Sequence, residues 1–80
     1  EMEPILLELP QGGESFAMDP HSGEEFGYVA EGCVTLVCGE ESHVIHKGET
    51  FYLSGKNRHY LKNEKKTTAK VIWVSTPPLF

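Results

Sequence analysis

Short runs in which apolar and polar residues alternate, broken at roughly 6–12-residue intervals by glycine, proline or asparagine, extend along the whole chain. Alternation with period two places successive side chains on opposite faces of a strand, so the pattern predicts β-structure throughout. The expected strands are Ile5–Leu9, Ser15–Met18, Glu25–Glu31, Cys33–Cys38, Ser42–His46, Thr50–Leu53, Arg58–Leu61 and Thr67–Ser75. Between them lie Pro10-Gln11-Gly12-Gly13, Gly32, Gly39-Glu40-Glu41, Lys47-Gly48-Glu49, Ser54-Gly55-Lys56-Asn57 and Asn63-Glu64-Lys65-Lys66, each a turn sequence. Thr76-Pro77-Pro78-Leu79-Phe80 reads as an extended tail, since neither proline donates to a ladder. The window Asn57–Thr76 is free of glycine and proline, but it is rich in β-branched and aromatic residues and has no i, i+3, i+4 apolar stripe, so no helix is expected. The fold class is all-β: one small barrel over residues 1–80.

Length and charge narrow the classes. A chain of 80 residues buries only about 60–65% of its unfolded surface and is marginal alone unless stapled or paired. The formal net charge is −5, and the only basic cluster is Lys62, Lys65 and Lys66. Such a surface repels phosphate backbones, so this segment is not expected to grip nucleic acid by itself. Cys33 and Cys38 lie on one expected strand, about 16 Å apart and on opposite faces. A disulfide needs Cα atoms within about 7 Å, so two reduced thiols and a cytoplasmic setting are expected. No signal peptide or membrane-length apolar stretch is present, and the opening residue Glu1 is read as a sign of an excised piece of a longer protein.

The candidate chemistry lies in two histidine-bearing segments roughly forty residues apart. Asp19, His21 and Glu25 share parity on extended chain, and His59 could close the same site from the second segment. Imidazole nitrogen with carboxylate oxygen suits a divalent ion (zinc, iron, manganese or nickel); a metal-free polar pocket is the other reading of the same set. Tyr28 and Tyr52 are candidate ligand contacts, because a phenol can stay partly wet and hydrogen-bond. Arg58 could pair a carboxylate-bearing effector. Phe16, Phe26, Phe51, Tyr60 and Trp73 are read chiefly as barrel core. His43 and His46, three apart on one strand, face opposite ways and cannot share a site. No nucleophile elbow or phosphate-cradling loop is present, so no catalytic residue is assigned.

The same two segments resemble the paired motifs of the cupin superfamily. In the first motif, the second histidine falls on His21, the glutamate on Glu25 and the closing glycine on Gly32. The second motif runs from Gly48 to His59 and Asn63. Asp19 stands where the family has its first histidine, Ser54 where it has a proline and Lys56 where it has a glycine. The resemblance implies a cupin-type jelly-roll barrel, or double-stranded β-helix, with a metal site built on histidines and a glutamate; Asp19 alters that ligand set. Gly23–Val29, Glu31-Gly32 and the ending Val74–Phe80 further resemble the C-terminal cupin domains of bacterial helix-turn-helix (XRE-type) regulators.

That likeness implies a small-molecule sensing and dimerisation domain of a transcriptional regulator, its DNA-binding domain absent from this chain. A small metal-dependent enzyme, isomerase or dioxygenase, is the second reading, and a barrel with a vestigial site the third. The expected partners are a small effector and a second copy, with DNA reached only through the absent domain and no membrane. The apolar strand Ile5–Leu9 is the expected dimer edge, because a free apolar edge invites pairing.

Overall fold

The computed structural model describes residues 1–20 and 22–78; His21 and the Leu79-Phe80 end of the tail lie outside the described residues. Seven strands form: β1 (Glu3–Leu9), β2 (Glu24–Glu31), β3 (Cys33–Cys38), β4 (Glu41–His46), β5 (Thr50–Leu53), β6 (His59–Lys62) and β7 (Ala69–Thr76). They make a four-stranded sheet in the order β1-β7-β2-β5 and a three-stranded sheet in the order β4-β3-β6, with every pairing antiparallel. The described residues contain no helix, hence none long and apolar enough to cross a membrane.

Alternation decides what fills the space between the sheets. In β7, Ala69, Val71, Trp73 and Ser75 are buried; in β2, Glu25, Gly27 and Val29 are buried. With Leu9, Val34, Leu36, Phe51, Leu53 and Leu61 the apolar members make one core. Of the seven aromatic residues considered for core or cavity, only Phe51 and Trp73 are in it. Phe16 is almost fully exposed, and Phe26, Tyr28 and Tyr52 stand on the outer face of the four-stranded sheet.

The expected strand Ser15–Met18 is instead a segment laid along the free edge of β6, holding it through isolated bridges at Glu14–Lys62 and Met18–His59. The reason is local: the Leu61 N–H donates to the Ser15 hydroxyl at 2.9 Å rather than to a carbonyl, which interrupts the ladder. Beyond it, Pro20 cannot donate, and the chain bends at Ser22-Gly23 before β2 begins. Gly32 carries the tight reversal from β2 to β3. Its φ is +75°, and a Cβ there would lie 2.9 Å from the Thr68 carbonyl oxygen and from the Ala69 Cα. Just before it, β2 bulges between Val29 and Glu31, so that Glu31 returns to the outer face opposite Lys70.

Asn63 ties three segments together. Its amide donates to the carbonyls of Leu9 and Thr67, each at 2.8 Å, and its carbonyl oxygen accepts from the Lys65 N–H at 2.9 Å. The end of β1 and the loop before β7 are thereby fixed to the end of β6. From that end, at Leu9–Ala69, β1 and β7 pair in register along their length to Glu3–Ser75 at the other.

Candidate functional site

Among the described residues, the interior carries one charged pair. Glu25 enters from β2, where its neighbours in register are Ser75 and Leu53; His59 enters from β6 in the opposing sheet. Both side chains are fully shielded from solvent, and the His59 Nε2 lies 2.6 Å from the Glu25 Oε2. The other carboxylate oxygen, Oε1, accepts a hydrogen bond from the Trp73 indole Nε1–H at 2.7 Å. Trp73 is in register with Gly27, so the indole reaches diagonally across a position that has no side chain to block it. Phe51 fills the same gap from the other side, its ring set edge-on to Trp73 with centroids 5.9 Å apart. A Cβ on Gly27 would fall 2.1 Å from two Phe51 ring carbons.

The imidazole is oriented at both ends. The Nδ1 of His59 is 2.8 Å from the backbone carbonyl of Asn57, an acceptor only, so that nitrogen carries a proton. A proton between Nε2 and Oε2 then completes the set, and an imidazolium beside a carboxylate satisfies every partner. Burial works against the charged ring; the hydrogen bond to Glu25, the Asn57 carbonyl and the charge of Glu25 outweigh it and hold the His59 pKa above the usual imidazole value. A charged pair inside an apolar barrel is hard to justify as packing, because well-fitted apolar residues serve stability as well or better. Buried ionisable pairs of this kind are candidate functional groups.

Of the residues singled out from sequence, Glu25 and His59 meet as expected. Asp19 does not join them. Its side chain is 90% exposed and lies 3.7 Å from the Arg58 Nε, an exposed pair on the surface. The shared parity of Asp19 and Glu25 required extended chain between them, and Pro20 with the bend at Ser22-Gly23 removes it. Arg58 points outward, as the alternation from buried His59 demands. Tyr28 and Tyr52 are likewise on the outer face, across the sheet from the pair, because Gly27, Val29, Phe51 and Leu53 take the inner positions of the same strands. His21 lies outside the described residues. His43 and His46 are exposed and each has its own carboxylate, Glu41 and Glu49 respectively, at 3.2 Å. The Glu49 carboxylate also accepts the His46 backbone N–H, and these bonds hold its pKa below the usual value. Cys33 and Cys38 are free thiols.

Two contributors were missed. Trp73 is read chiefly as core, although an indole N–H in a buried β7 position needs an acceptor, and that need is the signal for its bond to Glu25. Asn57, which orients His59 through its carbonyl, has no side-chain signal at all.

For a metal ion, the described residues offer two donor side chains where structural and catalytic sites take three or four. Among them no group of three histidine, cysteine, aspartate or glutamate side chains is gathered to hold one. The two donors present are hydrogen-bonded directly to each other, with Trp73 on the remaining carboxylate oxygen. Within the described residues the pair is set to share a proton.

Two facing antiparallel sheets, with the glutamate of the first segment meeting the histidine of the second inside them, define a cupin barrel. The chain belongs to the cupin family: the family's cupin-domain profile matches residues 5–75. It is similar to an uncharacterized protein, MJ1618, of Methanocaldococcus jannaschii, 27% identical over 70 residues, which are 88% of this chain and 56% of the relative. The chain thus spans little more than half of that curated relative. Among solved structures it is similar to TT1209 of Thermus thermophilus, with a TM-score of 0.88 at 24% identity over 95% of this chain and 72% of that one. It is also similar to a sugar phosphate isomerase from a cupin superfamily of Silicibacter pomeroyi, with a TM-score of 0.85 at 26% identity, covering 96% of this chain and 51% of that one.

Proposed function

We propose that this cupin domain is a non-catalytic receptor for a small oxygen-rich molecule, the sensory part of a transcriptional regulator whose DNA-binding segment lies outside these 80 residues. The observation that carries the binding reading is the Glu25–His59 pair, shielded from water and aimed by Trp73 and Asn57. A ligand carboxylate can replace Glu25 on the His59 Nε2, while a ligand hydroxyl donates to the freed Glu25 oxygen; a hydroxy acid supplies both groups. The exchange leaves the charge count inside the barrel unchanged apart from the ligand's own, and it displaces a bond between the two sheets. Coupling follows from that displacement, since a ligand shifts a regulator only by its differential affinity for two arrangements. The regulator assignment rests on the likeness of Gly23–Val29 and the Thr-Pro-Pro ending to regulator cupin domains.

Calorimetric titration with glycolate and longer hydroxy acids tests the binding reading, with metal content measured on the same samples. Saturable binding that Glu25→Gln and His59→Gln each weaken at least about tenfold is expected, with the acid recovered unchanged. Absence of binding across the series defeats the receptor reading. Stoichiometric metal with turnover of the acid replaces it with the metal-dependent enzyme, isomerase or dioxygenase in type, as similarity to an isomerase would suggest. The reading frame upstream of the codon for Glu1 is expected to encode a helix-turn-helix; a catalytic domain there overturns the regulator assignment.

A further inference from the structure

Among the described residues, one edge of the barrel is uncovered on its inner side. Strand register places Glu41, Cys38 and His59 in one row of the three-stranded sheet, and His43, Leu36 and Leu61 in the next. Residues paired in register project to the same face, so both rows point toward the interior that His59 and Leu61 occupy. The other inward positions of the seven strands are buried or half-buried, whereas the Glu41 and His43 side chains are 77% and 56% exposed. The reason is topological: β4 pairs with β3 alone, and no ladder joins it to β5, the edge of the other sheet. Exposure therefore falls in steps along the first row, from open Glu41 through half-buried Cys38 to fully shielded His59.

We infer that this row is the way in to the Glu25–His59 pair, and that Glu41 and His43 at its rim select a polyhydroxy acid of three or four carbons, such as glycerate or erythronate. The inference rests on the hydroxy-acid reading of the pair and names which acid. With a carboxylate on the His59 Nε2 and a 2-hydroxyl on Glu25, the rest of the molecule has two directions to take. Inward stand Leu36, Leu61 and Val71, buried in the packed core. Across the row stands Cys38, its smallest side chain, which leaves a carbon chain its passage. Adjacent strands are about 4.8 Å apart, so Glu41 lies about 10 Å from His59, two strands away. A hydrogen bond of about 2.8 Å at each end leaves roughly 4 Å between the terminal oxygens of the ligand, the reach of three or four carbons with bonds of about 1.5 Å. At the rim the His43 Nε2 and the Glu41 Oε1 are 3.2 Å apart. An alcohol suits such a pair, because it donates to the carboxylate and accepts from the ring N–H; an ammonium has nothing to accept with.

Calorimetric titration of the 80-residue chain with glycolate, glycerate, erythronate and 2-hydroxybutyrate reads the selection. The better of glycerate and erythronate should bind at least about fivefold tighter than glycolate, the return on one further hydrogen bond to a charged group. 2-Hydroxybutyrate, as long as erythronate but without a distal hydroxyl, should not share that gain. Glu41→Gln should cut the preference over glycolate at least about threefold, while Glu40→Gln at the hairpin tip should keep it. Both positions are exposed, so neither change threatens the fold. Iodoacetamide labelling followed by mass spectrometry reads the route separately. The preferred acid should slow alkylation of Cys38 and leave Cys33, which points to the opposite face in register with His46, at its own rate. A preference that Glu41→Gln does not move, or thiols protected alike or not at all, overturns this inference while glycolate binding keeps the receptor reading intact. Binding of none of the acids defeats the receptor reading itself, and this inference with it.

Discussion

Gly27 is expected to be intolerant of a single added carbon, although its backbone makes no demand that only glycine meets. An alanine Cβ would sit 2.1 Å from two Phe51 ring carbons, well inside the ordinary contact distance. The ring must retreat by more than 1 Å, by rough comparison with the about 3.5–4 Å at which carbon pairs rest. It has little room to do so, being buried and set edge-on to Trp73. Overpacking of a filled core costs about 1–3 kcal/mol, while replacing glycine in a strand returns about 0.5–1 kcal/mol of backbone entropy. The net expectation is a loss of about 1–2 kcal/mol for Gly27→Ala, which urea unfolding resolves. Phe51→Leu alone should destabilise by leaving a void, and the double variant should be more stable than the sum of the two losses, because each change relieves the other. Trp73 is the chain's single tryptophan, so its emission follows the same displacement at the indole that holds Glu25. Wild-type stability in Gly27→Ala, or strict additivity in the double variant, would refute the account of how Trp73 is positioned.

The pH dependence of the buried pair has a definite sign. His59 has its folded pKa raised, so its pairing contributes fully below the ordinary imidazole value of about 6.5 and is lost as pH rises through the raised value. The stability difference between wild type and His59→Gln should therefore shrink from pH 6 toward pH 9; a difference that grows is incompatible with the charged pair. The exposed His43 and His46 are common to both proteins and cancel. Asn63→Ala removes three hydrogen bonds, at least one of them buried, and should cost about 2–4 kcal/mol by urea unfolding. Asn63→Asp, which loses both donors and turns a carboxylate toward two carbonyls, should be no better. A loss under about 1 kcal/mol in the alanine variant would mean that water replaces the amide there.

The strands were legible because period-two alternation survives in an 80-residue chain punctuated by glycine, and the spacing of Glu25 and His59 within the two motifs was enough to bring them together. Asp19 was misplaced for a physical reason: parity holds only on continuous extended chain, and Pro20 with the bend at Ser22-Gly23 ends it before β2 begins. Tyr28 could have been excluded from the start. It lies three residues from Glu25 on one strand, and an odd separation puts the two on opposite faces. The interior neighbour Trp73 was within reach of the same rule, since Ala69, Val71, Trp73 and Ser75 alternate with Lys70, Ile72 and Val74. What alternation could not reveal is the carbonyl of Asn57, because backbone groups leave no mark on side-chain pattern.

The pairing of β1 with β7 brings Glu3 directly across from Ser75. Residues opposed in this way have Cα atoms only about 5 Å apart, so the polypeptide is nearly a closed ring. A ring can be opened anywhere that tolerates a break. A short peptide joining the two ends, with new termini cut at the exposed Gly39-Glu40 hairpin, should yield a circularly permuted barrel with the same two sheets. In a longer polypeptide, anything attached before Glu3 and anything attached after Thr76 must emerge side by side, so this barrel can hang from a larger protein as a pendant without lengthening it.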